Sequence, residues 1–386
     1  MIRVLVDGRV DGHDGIGRYT RCLAAALRAH TDPGFRIEVL PPADTPRYSR
    51  AEGLELLHAA RQSAADVIHV LDYRVPLEST RIPVVATIYD VLRLAVPEYC
   101  YRDDGFATRF GWDGLAELRT VTAVLRTMTR EPPGAVRHPQ SLHEEFYGRM
   151  LMLACARARH IVTPTRTVSA QLTDLTGRRS RVRTSPPGVD HLRAGKDQVP
   201  ALPAAGDRYL LYVGQARPHK GLTALLDAFE RSRARHAGVR LVCAGMDFAP
   251  GTDGAGVLTA HLGGGAVAAG LVGDDELGAL YSRATVLVHL AGHEGFGFTP
   301  LEALACGCRV VASDIAVLRE TLGPHATFVD PADSRAVARA IDRLLAAPDE
   351  PGERERRMRW AGRYRWSRHV GDLMAVYTEA AESASS

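Results

Sequence analysis

The feature that most constrains the fold is a repeated alternation of short apolar runs with longer segments rich in Ala, Leu and Arg. The runs lack strict polar–apolar alternation, which fits strands buried on both faces of a parallel sheet, and the longer segments fit the connecting helices. The runs are Ile2–Val6, Arg36–Leu40, Val67–Leu71, Val84–Ile88 and Ile161–Thr163 in the first half, and Tyr209–Val213, Val239–Ala244, Ala269–Val272, Thr285–Leu290, Val310–Ala312 and Thr327–Val329 in the second.

Two such series in one chain predict two doubly wound α/β domains. The 386 residues suffice for two domains, and Gly177 to Ala205, rich in Arg, Pro and Gly, marks the boundary. We therefore predict a first domain over 1–185, a second over 190–360, and a final helix within 358–377. Ligands of open parallel sheets bind beyond the carboxyl ends of the strands, so the cleft between the domains is the expected site.

Charge and cysteine content exclude several classes of protein. The net charge of +3 is too small for a general nucleic-acid binder. Six scattered cysteines in apolar contexts predict reduced, buried thiols, and none has zinc-ligand spacing. The first eight residues read as a strand and turn rather than a signal peptide, and no apolar stretch reaches the ~18 residues of a membrane span. We expect a cytoplasmic protein without a transmembrane segment; peripheral membrane contact stays open.

Residues 292–307 form the most informative stretch, because a glycine-rich loop there joins a strand to a helix. Thr299 fits an N-cap, Pro300 the first helical position and Glu302 the third, which predicts a capping box. Alternatively, the glycines let backbone N–H groups approach a ligand, and the helix start attracts a diphosphate. Glu294 and Glu302 would then hold hydroxyls of a ribose and a sugar. The spacing within the loop leaves both interpretations open.

The spacing of Glu294 and Glu302 resembles the paired-glutamate signature of the retaining GT-B glycosyltransferases of family 4, the glycosyl transferases group 1. The resemblance implies two Rossmann-like domains facing across a cleft, the first binding the acceptor and the second the nucleotide-sugar donor. It also implies that a C-terminal helix, about 361–380, crosses back to the N-terminal domain. Further similar blocks are Gly15–Tyr19, Thr87–Asp90, Ile161–Thr165, Tyr209–Gly214, Pro218–Leu222, Leu271–Leu277, Leu280–Tyr281, Val310–Ser313, Arg319–Glu320 and Val329–Pro331.

The resemblance assigns donor-side roles. Glu302 would bind the ribose, Glu294 the transferred sugar and Lys220 the diphosphate. Lys220 is one of only two lysines in an arginine-rich chain, which favours a role over an ordinary surface charge. The other implied donor-side residues are Gly15 and Gly17 near the phosphates, Gly214 at the end of the first strand of the second domain, Val272 and Gly273 beside the base, and Gly295, Phe296, Gly297, Phe298 and Thr299 at the helix start. Arg217 is a further candidate for a phosphate contact, although the family's arginine more often follows the glycine directly, where this chain has Gln215. Gly15–Gly17 could equally form only a tight turn, and Val272–Gly273 only a strand end.

The acceptor side departs from the family pattern. Many relatives have histidine before the aspartate, whereas this chain has Tyr89 before Asp90, and a tyrosine donates a hydrogen bond without titrating near neutrality. Asp90 either orients the acceptor or caps a turn. His13 and Asp14 are candidates to take the role of the histidine that Tyr89 replaces.

A second departure is the length of the segment 100–141, which includes Trp112. Loops of the acceptor domain set acceptor choice, so this segment is a candidate acceptor pocket. Arginines beside aromatic residues also suit a membrane interface, and plain packing is a third interpretation.

The resemblance implies transfer of a sugar from a nucleoside diphosphate to a hydroxyl, retaining the anomeric configuration. Glu294, Lys220 and Asp90 are the implied catalytic residues. No metal or permanently bound cofactor is expected, since Lys220 and the helix start can neutralise the diphosphate. The co-substrate is a nucleotide sugar whose base, with UDP, GDP or dTDP as candidates, is left open.

The composition indicates a GC-rich genome, such as that of an actinomycete, where an antibiotic-biosynthesis acceptor such as an aminocyclitol is plausible beside a glycan or glycolipid. Two alternatives remain: a nucleotide-sugar 2-epimerase of the same fold, and a non-catalytic sugar-nucleotide-binding subunit, suggested by Tyr89. A dinucleotide oxidoreductase is excluded, because neither the glycine pattern around Gly15 nor the strand end at Leu40 fits. Whether the chain is a monomer or a homodimer is left open.

Overall fold

The computed structural model describes residues 1–10, 12, 14–129, 139–177, 181–192, 208–262 and 265–383. The chain divides into two compact units. Unit 1 comprises Met1–Pro187 and Ser367–Ser386, and unit 2 comprises Gly188–Trp366. The chain therefore passes from one unit to the other twice.

Unit 1 contains a six-stranded parallel sheet in the order β2-β1-β3-β4-β5-β6. Its strands are β1 (Ile2–Asp7), β2 (Phe35–Leu40), β3 (Val67–Val70), β4 (Val84–Thr87), β5 (His160–Thr163) and β6 (Val182–Thr184). Its helices are α1 (Gly15–Ala29), α2 (Arg50–Gln62), α3 (Leu92–Ala95), α4 (Asp103–Met128), α5 (Leu142–Arg157), α6 (Arg166–Thr176) and the C-terminal α15 (Trp366–Glu382), whose first residue lies in unit 2.

The central strands of unit 1 behave as their sequences predict. Every residue of β3, β4 and β5 is buried, which is the pattern expected for a sheet covered on both faces. The sequence prediction missed β6, which lies inside the predicted linker. This edge strand has only three residues, none of them fully buried, and so lacks an apolar run.

Buried polar contacts tie α15 to the rest of unit 1. His369 bonds the Tyr19 hydroxyl through Nε2 at 2.7 Å and the Ser185 hydroxyl through Nδ1 at 2.8 Å. The Tyr377 hydroxyl contacts His69 Nδ1 at 2.7 Å. Burial lowers the pKa of both histidines to about 3, so both rings are neutral at physiological pH. The final helix predicted within 358–377 is two helices in the structure, one that ends at Ala361 and α15, which begins at Trp366.

Unit 2 contains a second six-stranded parallel sheet, in the order β12-β11-β10-β7-β8-β9. Its strands are β7 (Tyr209–Val213), β8 (Arg240–Ala244), β9 (Ala266–Gly270), β10 (Val286–His289), β11 (Val310–Ser313) and β12 (Thr327–Val329). Its helices are α7 (Leu222–Arg231), α8 (Arg233–His236), α9 (Asp253–Leu262), α10 (Asp274–Arg283), α11 (Phe298–Ala305), α12 (Ala316–Leu322), α13 (Ser334–Ala346) and α14 (Glu353–Ala361). The prediction of two doubly wound parallel sheets is confirmed.

One strand of unit 2 is displaced from its predicted position. The predicted run 269–272 overlaps β9 only at its end, because the strand begins at Ala266 and closes at Gly270, where φ is +68°. Val272 and Gly273 therefore lie in the loop before α10. No helix in the described residues is both long enough and apolar enough to cross a membrane.

Candidate functional site

The loop between β10 and α11 begins the candidate site. Gly297, at φ +82°, is the residue before α11, and its conformation favours glycine. A Cβ at Gly297 would also lie 2.6 Å from Leu318 Cδ2. The helix starts at Phe298, so Thr299 is already helical and caps nothing with its side chain. The capping-box prediction is wrong, and the Glu302 carboxylate bonds elsewhere.

A close backbone approach brings Lys220 to this loop. Pro218–Lys220 forms a 3-10 turn, and Gly221 follows at φ +72°. The Gly292 N–H donates to the His219 carbonyl at 2.9 Å. A Cβ on Gly221 would lie 2.1 Å from the Leu290 carbonyl oxygen, so only glycine fits at this position.

Replacing Gly221 with alanine should therefore cost more stability than its backbone angle alone explains. Gly238 is the matched control, since its φ is +73° but a Cβ there would have nothing within 4 Å. We expect Gly238→Ala to lower the free energy of unfolding by about 1–2 kcal/mol, the cost of the left-handed conformation. Gly221→Ala should lower it by a further ~1–3 kcal/mol through the clash. Equal losses for both variants in chemical denaturation would contradict this account.

The Glu294 carboxylate lies between two cation-capable side chains. Lys220 Nζ lies 2.7 Å and His289 Nε2 3.0 Å from the same oxygen, Oε1. Burial alone would raise the pKa of Glu294, but the Lys220 charge and the His289 hydrogen bond outweigh it and hold that pKa well below its usual range. Glu294 is therefore ionised at physiological pH. His289 is not among the predicted site residues, although a histidine near the end of an apolar run, at the carboxyl edge of the sheet, is a usable signal.

The depressed pKa of Glu294 predicts how the stability of the protein depends on pH. A carboxyl whose pKa is lower in the folded than in the unfolded state stabilises fully above its unfolded pKa, here near 4.5, and loses that effect as the pH falls. The wild type should thus be most stable relative to Glu294→Gln above about pH 5.5, about one unit above that value. The difference should shrink steadily below pH 4.5. A difference independent of pH between 6 and 3, measured by urea unfolding, would show that Glu294 is not held ionised.

Glu302 forms a second cluster. Its side chain is 2% exposed. The Tyr281 hydroxyl contacts Oε2 at 3.1 Å and His191 Nε2 contacts Oε1 at 3.1 Å. The Trp366 indole N–H donates to His191 Nδ1 at 3.2 Å. Because an indole nitrogen only donates, His191 Nδ1 must accept, so its proton sits on Nε2 and is donated to Glu302. Two donors thus fix the carboxylate in place.

The structure brings these two clusters together through one helix and its preceding loop. Glu294 lies in the loop and Glu302 in α11, eight residues later. Tyr281 lies in a block that resembles the family, but the sequence assigns no role to it, to His191 or to Trp366 at Glu302. His191 falls in the predicted linker and Trp366 begins the last helix, so only the tertiary fold places them beside Glu302.

Phe296 and Phe298 supply packing beside these clusters. The Phe296 ring is 3% exposed and lies 5.0 Å from Phe298 and 5.6 Å from Tyr364, centroid to centroid. The Phe298 ring stacks on Trp366 at 6.5 Å. Gly295 and Gly297, the residues on either side of Phe296, are buried, and Thr299 is half-buried.

The remaining donor-side residues lie in loops at the carboxyl ends of β7 and β9. Gly214 has φ +151°. A Cβ on Gly245 would lie 2.1 Å from the Gly214 carbonyl oxygen. Arg217 is half-buried, and its side chain makes no hydrogen bond within the described ranges. Gly273 donates its N–H to Glu276 Oε2 at 3.0 Å, which ties down the start of α10 behind Val272.

The predicted residues near α1 in unit 1 have clear local roles. Asp14 is the N-cap of α1, and its carboxylate accepts from the Gly17 N–H at 2.9 Å. A Cβ on Gly17 would lie 1.6 Å from the Gly12 carbonyl oxygen, so the tight turn requires glycine there. A Cβ on Gly15 would have nothing within 4 Å. His13 lies outside the described residues.

Tyr89 and Asp90 follow β4 directly. The Tyr89 ring packs edge-on against Tyr19 at 4.6 Å, and burial raises the pKa of its hydroxyl well above the ordinary 10. That hydroxyl is buried and has no hydrogen-bond partner of good geometry among the described residues. Asp90 Oδ1 accepts from the Leu92 N–H at 2.9 Å, which is the turn-capping role.

Within 100–141, the described residues include the kinked helix α4 and end at Ser141, the N-cap of α5. Gly111, at φ +79°, breaks α4, and Trp112 beside it is 73% exposed. The inner face of α4, including Phe106 and Leu118, is fully buried. Residues 130–138 lie outside the described residues. Among those described, no group of three or more His, Cys, Asp or Glu side chains could hold a metal ion. None of the six cysteines, all of which lie in the described residues, forms a disulfide, and five of them are buried.

Curated relatives match about half of the chain, and the chain spans about half of their length. The O-antigen chain mannosyltransferase RfbU of Salmonella typhimurium is 28% identical over 213 residues, covering 55% of this chain and 58% of that protein. The phosphatidyl-myo-inositol mannosyltransferase of Mycobacterium tuberculosis is 33% identical over 212 residues, covering 51% and 54%. The D-inositol 3-phosphate glycosyltransferase of Geodermatophilus obscurus is 34% identical over 250 residues, covering 59% and 54%.

Solved structures and family models cover more of the chain. Sucrose-phosphate synthase of Thermosynechococcus elongatus superposes with a TM-score of 0.66 at 18% identity, covering 98% of this chain and 99% of that one. HepE of Anabaena, in complex with UDP, gives 0.65 at 13%, covering 97% and 100%. The family described as Glycosyltransferase Family 4 matches residues 20–193, and the family described as Glycosyl transferases group 1 matches 196–365. The chain therefore belongs to the group 1 glycosyltransferases and has their two-domain GT-B fold.

Proposed function

We propose that this protein transfers a sugar from a nucleoside diphosphate to an acceptor hydroxyl with retention of anomeric configuration. The observation that carries the proposal is the pair of fixed carboxylates, Glu294 and Glu302, placed by one loop and helix, with Lys220 at 2.7 Å from the first. Unit 2 would bind the donor and unit 1 the acceptor. The description of HepE as a complex with UDP supports a nucleotide ligand for this fold.

Lys220 would hold the donor diphosphate. Its ammonium carries three N–H donors, of which one reaches Glu294, and it lies at the carboxyl edge of the sheet. Burial is the main cause that lowers the pKa of neighbouring His219 to about 4, and the Lys220 charge lowers it further. The N–H groups at the start of α11 add partial positive charge. These groups can neutralise a diphosphate without a metal ion.

The barrier to transfer lies in the departure of the diphosphate. Negative charge then grows on the leaving oxygen, and preorganised donors stabilise it most. Lys220 and the start of α11 are such donors, since Glu294 and the α11 turn already fix their positions. Ionised Glu294 would accept hydrogen bonds from hydroxyls of the transferred sugar, and Glu302 would accept from the ribose.

On the acceptor side, Asp90 would orient the attacking hydroxyl. The Leu92 N–H already fixes one of its oxygens and leaves the other to the acceptor. Tyr89 would act as a neutral hydrogen-bond donor in place of the family histidine. Two relatives are named for inositol-bearing acceptors, which supports a cyclitol hydroxyl, including an aminocyclitol of antibiotic biosynthesis. A glycan or glycolipid is the second acceptor class, supported by the O-antigen relative.

A product assay tests the proposal. Purified protein is incubated with UDP-glucose, GDP-mannose or a dTDP-sugar, with and without myo-inositol 3-phosphate, phosphatidylinositol vesicles or an aminocyclitol, and followed by NMR. We expect nucleotide release that depends on acceptor, and an α-glycoside from an α-linked donor. Conversion of the donor sugar without acceptor would show an epimerase instead. Binding without any conversion across these pairs would favour the non-catalytic subunit.

A further inference from the structure

An open cavity of about 330 Å³ lies in unit 1 at the amino-terminal edge of its sheet. Its walls include the residues just before three neighbouring strands: Pro83 before β4, Arg159 before β5 and Arg181 before β6. Asp90 and Tyr89 follow the carboxyl end of β4, so the cavity and these acceptor-side residues lie at opposite edges of the sheet. The cavity is therefore separate from the sites assigned above.

The cavity is strongly basic. Four arginines line it, namely Arg81, Arg157, Arg159 and Arg181, against a single acid, Glu78. Glu78 Oε1 is already engaged by Arg50 at 2.5 Å. The side chains of Arg81, Arg159 and Arg181 make no hydrogen bond or ion pair within the part of the chain that the structure describes.

One arginine holds the wall of the cavity. Arg157 Nη1 donates to the carbonyl oxygens of Pro76, Leu77 and Glu78 at 2.8, 2.6 and 3.2 Å. These bonds fix the loop that forms one side of the cavity. Arg81, Arg159 and Arg181, whose side chains are unpaired within the described residues, stand around a wall that these bonds already fix, which lowers the entropy lost when a ligand binds.

The backbone of Arg181 gives an independent indication of a role. Its φ of +77° lies in the left-handed region that favours glycine or asparagine. A long cationic residue in this costly conformation supports a function for its side chain. His160 lies next to Arg159. Burial is the main cause of its lowered pKa, and Arg183, Arg159 and Arg181 lower it further, although Glu379 lies 3.8 Å away.

We propose that this cavity binds a phosphate group, carried by a soluble phosphorylated compound or by an anionic lipid headgroup. Guanidinium groups suit this ligand because their N–H donors match phosphate oxygens in pairs. A cluster of unpaired arginines also attracts a dianion more strongly than a carboxylate of lower charge.

The test is isothermal titration of the full-length protein with inorganic phosphate. The Lys220→Met variant removes the cation of the proposed donor site, so the phosphate binding that it keeps is assigned to the cavity. Arg159→Gln should weaken binding by about tenfold or more, since each charge-assisted hydrogen bond contributes at least that factor. Arg335→Gln, which removes an exposed charge from α13 in unit 2, should leave binding unchanged.

The Arg181→Asn variant separates a loss of phosphate binding from a loss of folding. Asparagine tolerates the left-handed conformation, so this variant should unfold at the same or a higher temperature and yet bind phosphate about tenfold more weakly. Phosphate binding that is absent from the wild type, unchanged in Arg159→Gln and Arg181→Asn, or lost only in Lys220→Met would overturn the proposal.

Vesicle sedimentation distinguishes the two sources of phosphate. Phosphatidylcholine vesicles with and without phosphatidylglycerol are compared for wild type and Arg159→Gln. Sedimentation that needs both phosphatidylglycerol and Arg159 would support the headgroup as the ligand. Phosphate binding without vesicle binding would support the soluble compound.

Discussion

Replacing Lys220 with methionine is expected to lower the turnover number by about two to three orders of magnitude, with a smaller change in KM. Methionine keeps much of the length and apolar stem of lysine but removes the charge that would oppose the departing diphosphate. A group acting mainly in the transition state lowers kcat more than it raises KM. The measurement is steady-state nucleotide release with the donor and acceptor found by the product assay.

Two controls separate this effect from structural damage. Lys220→Met leaves the Glu294 carboxylate with His289 as its partner at the site. The double variant Lys220→Met/Glu294→Gln also removes the uncompensated negative charge of Glu294, so it should recover stability. The double variant should stay inactive. Arg335→Met, an exposed site on α13, should keep full turnover. Turnover of Lys220→Met within twofold of the wild type would rule out the assigned role.

Glu302→Gln is expected to weaken nucleoside diphosphate binding by about 10- to 100-fold, because a hydrogen bond to a charged group contributes about 1.5–3 kcal/mol. The amide has one acceptor oxygen instead of two, while Tyr281 and His191 already compete for acceptors. The variant therefore loses the oxygen that would serve the ribose. Binding is measured by isothermal titration, with Glu355→Gln on the exposed face of α14 as the control.

A ribose analogue makes this test specific. The wild type should bind a 2′,3′-dideoxy nucleoside diphosphate about as weakly as Glu302→Gln binds the natural one. The variant should not distinguish the two nucleotides. If Glu302→Gln binds as the wild type does and still prefers the natural ribose, then Glu302 does not contact the sugar of the nucleotide.

The sequence predicts the strands well where burial dominates. Runs such as Val84–Ile88 are apolar throughout because both faces of the sheet are covered, and they match β4 closely. The short edge strand β6 carries no such signal. The start of α11 was mistaken because Thr299–Pro300 is a favourable helix start, whereas the chain uses the left-handed Gly297 one residue before the helix begins.

The site residues also divide into those that the sequence indicates and those that it does not. Glu294, Glu302 and Lys220 are recognisable from their spacing and from the motif they resemble. His289, five residues before Glu294, carries a usable signal at the end of an apolar run. His191 carries none, because its partner Glu302 lies 111 positions later in the chain. The tautomer of His191 is set by the indole of Trp366, 175 positions later, and only the folded chain brings the two together.

The most direct test of the account is isothermal titration of the wild type with UDP, GDP, ADP and dTDP, repeated on Lys220→Met and Glu302→Gln. We expect one nucleotide to bind more tightly than the others, and both variants to weaken that binding by about tenfold or more. That nucleotide would identify the donor base. Failure of all four to bind the wild type, or equal binding by the wild type and both variants, would contradict a donor site built on Lys220 and Glu302.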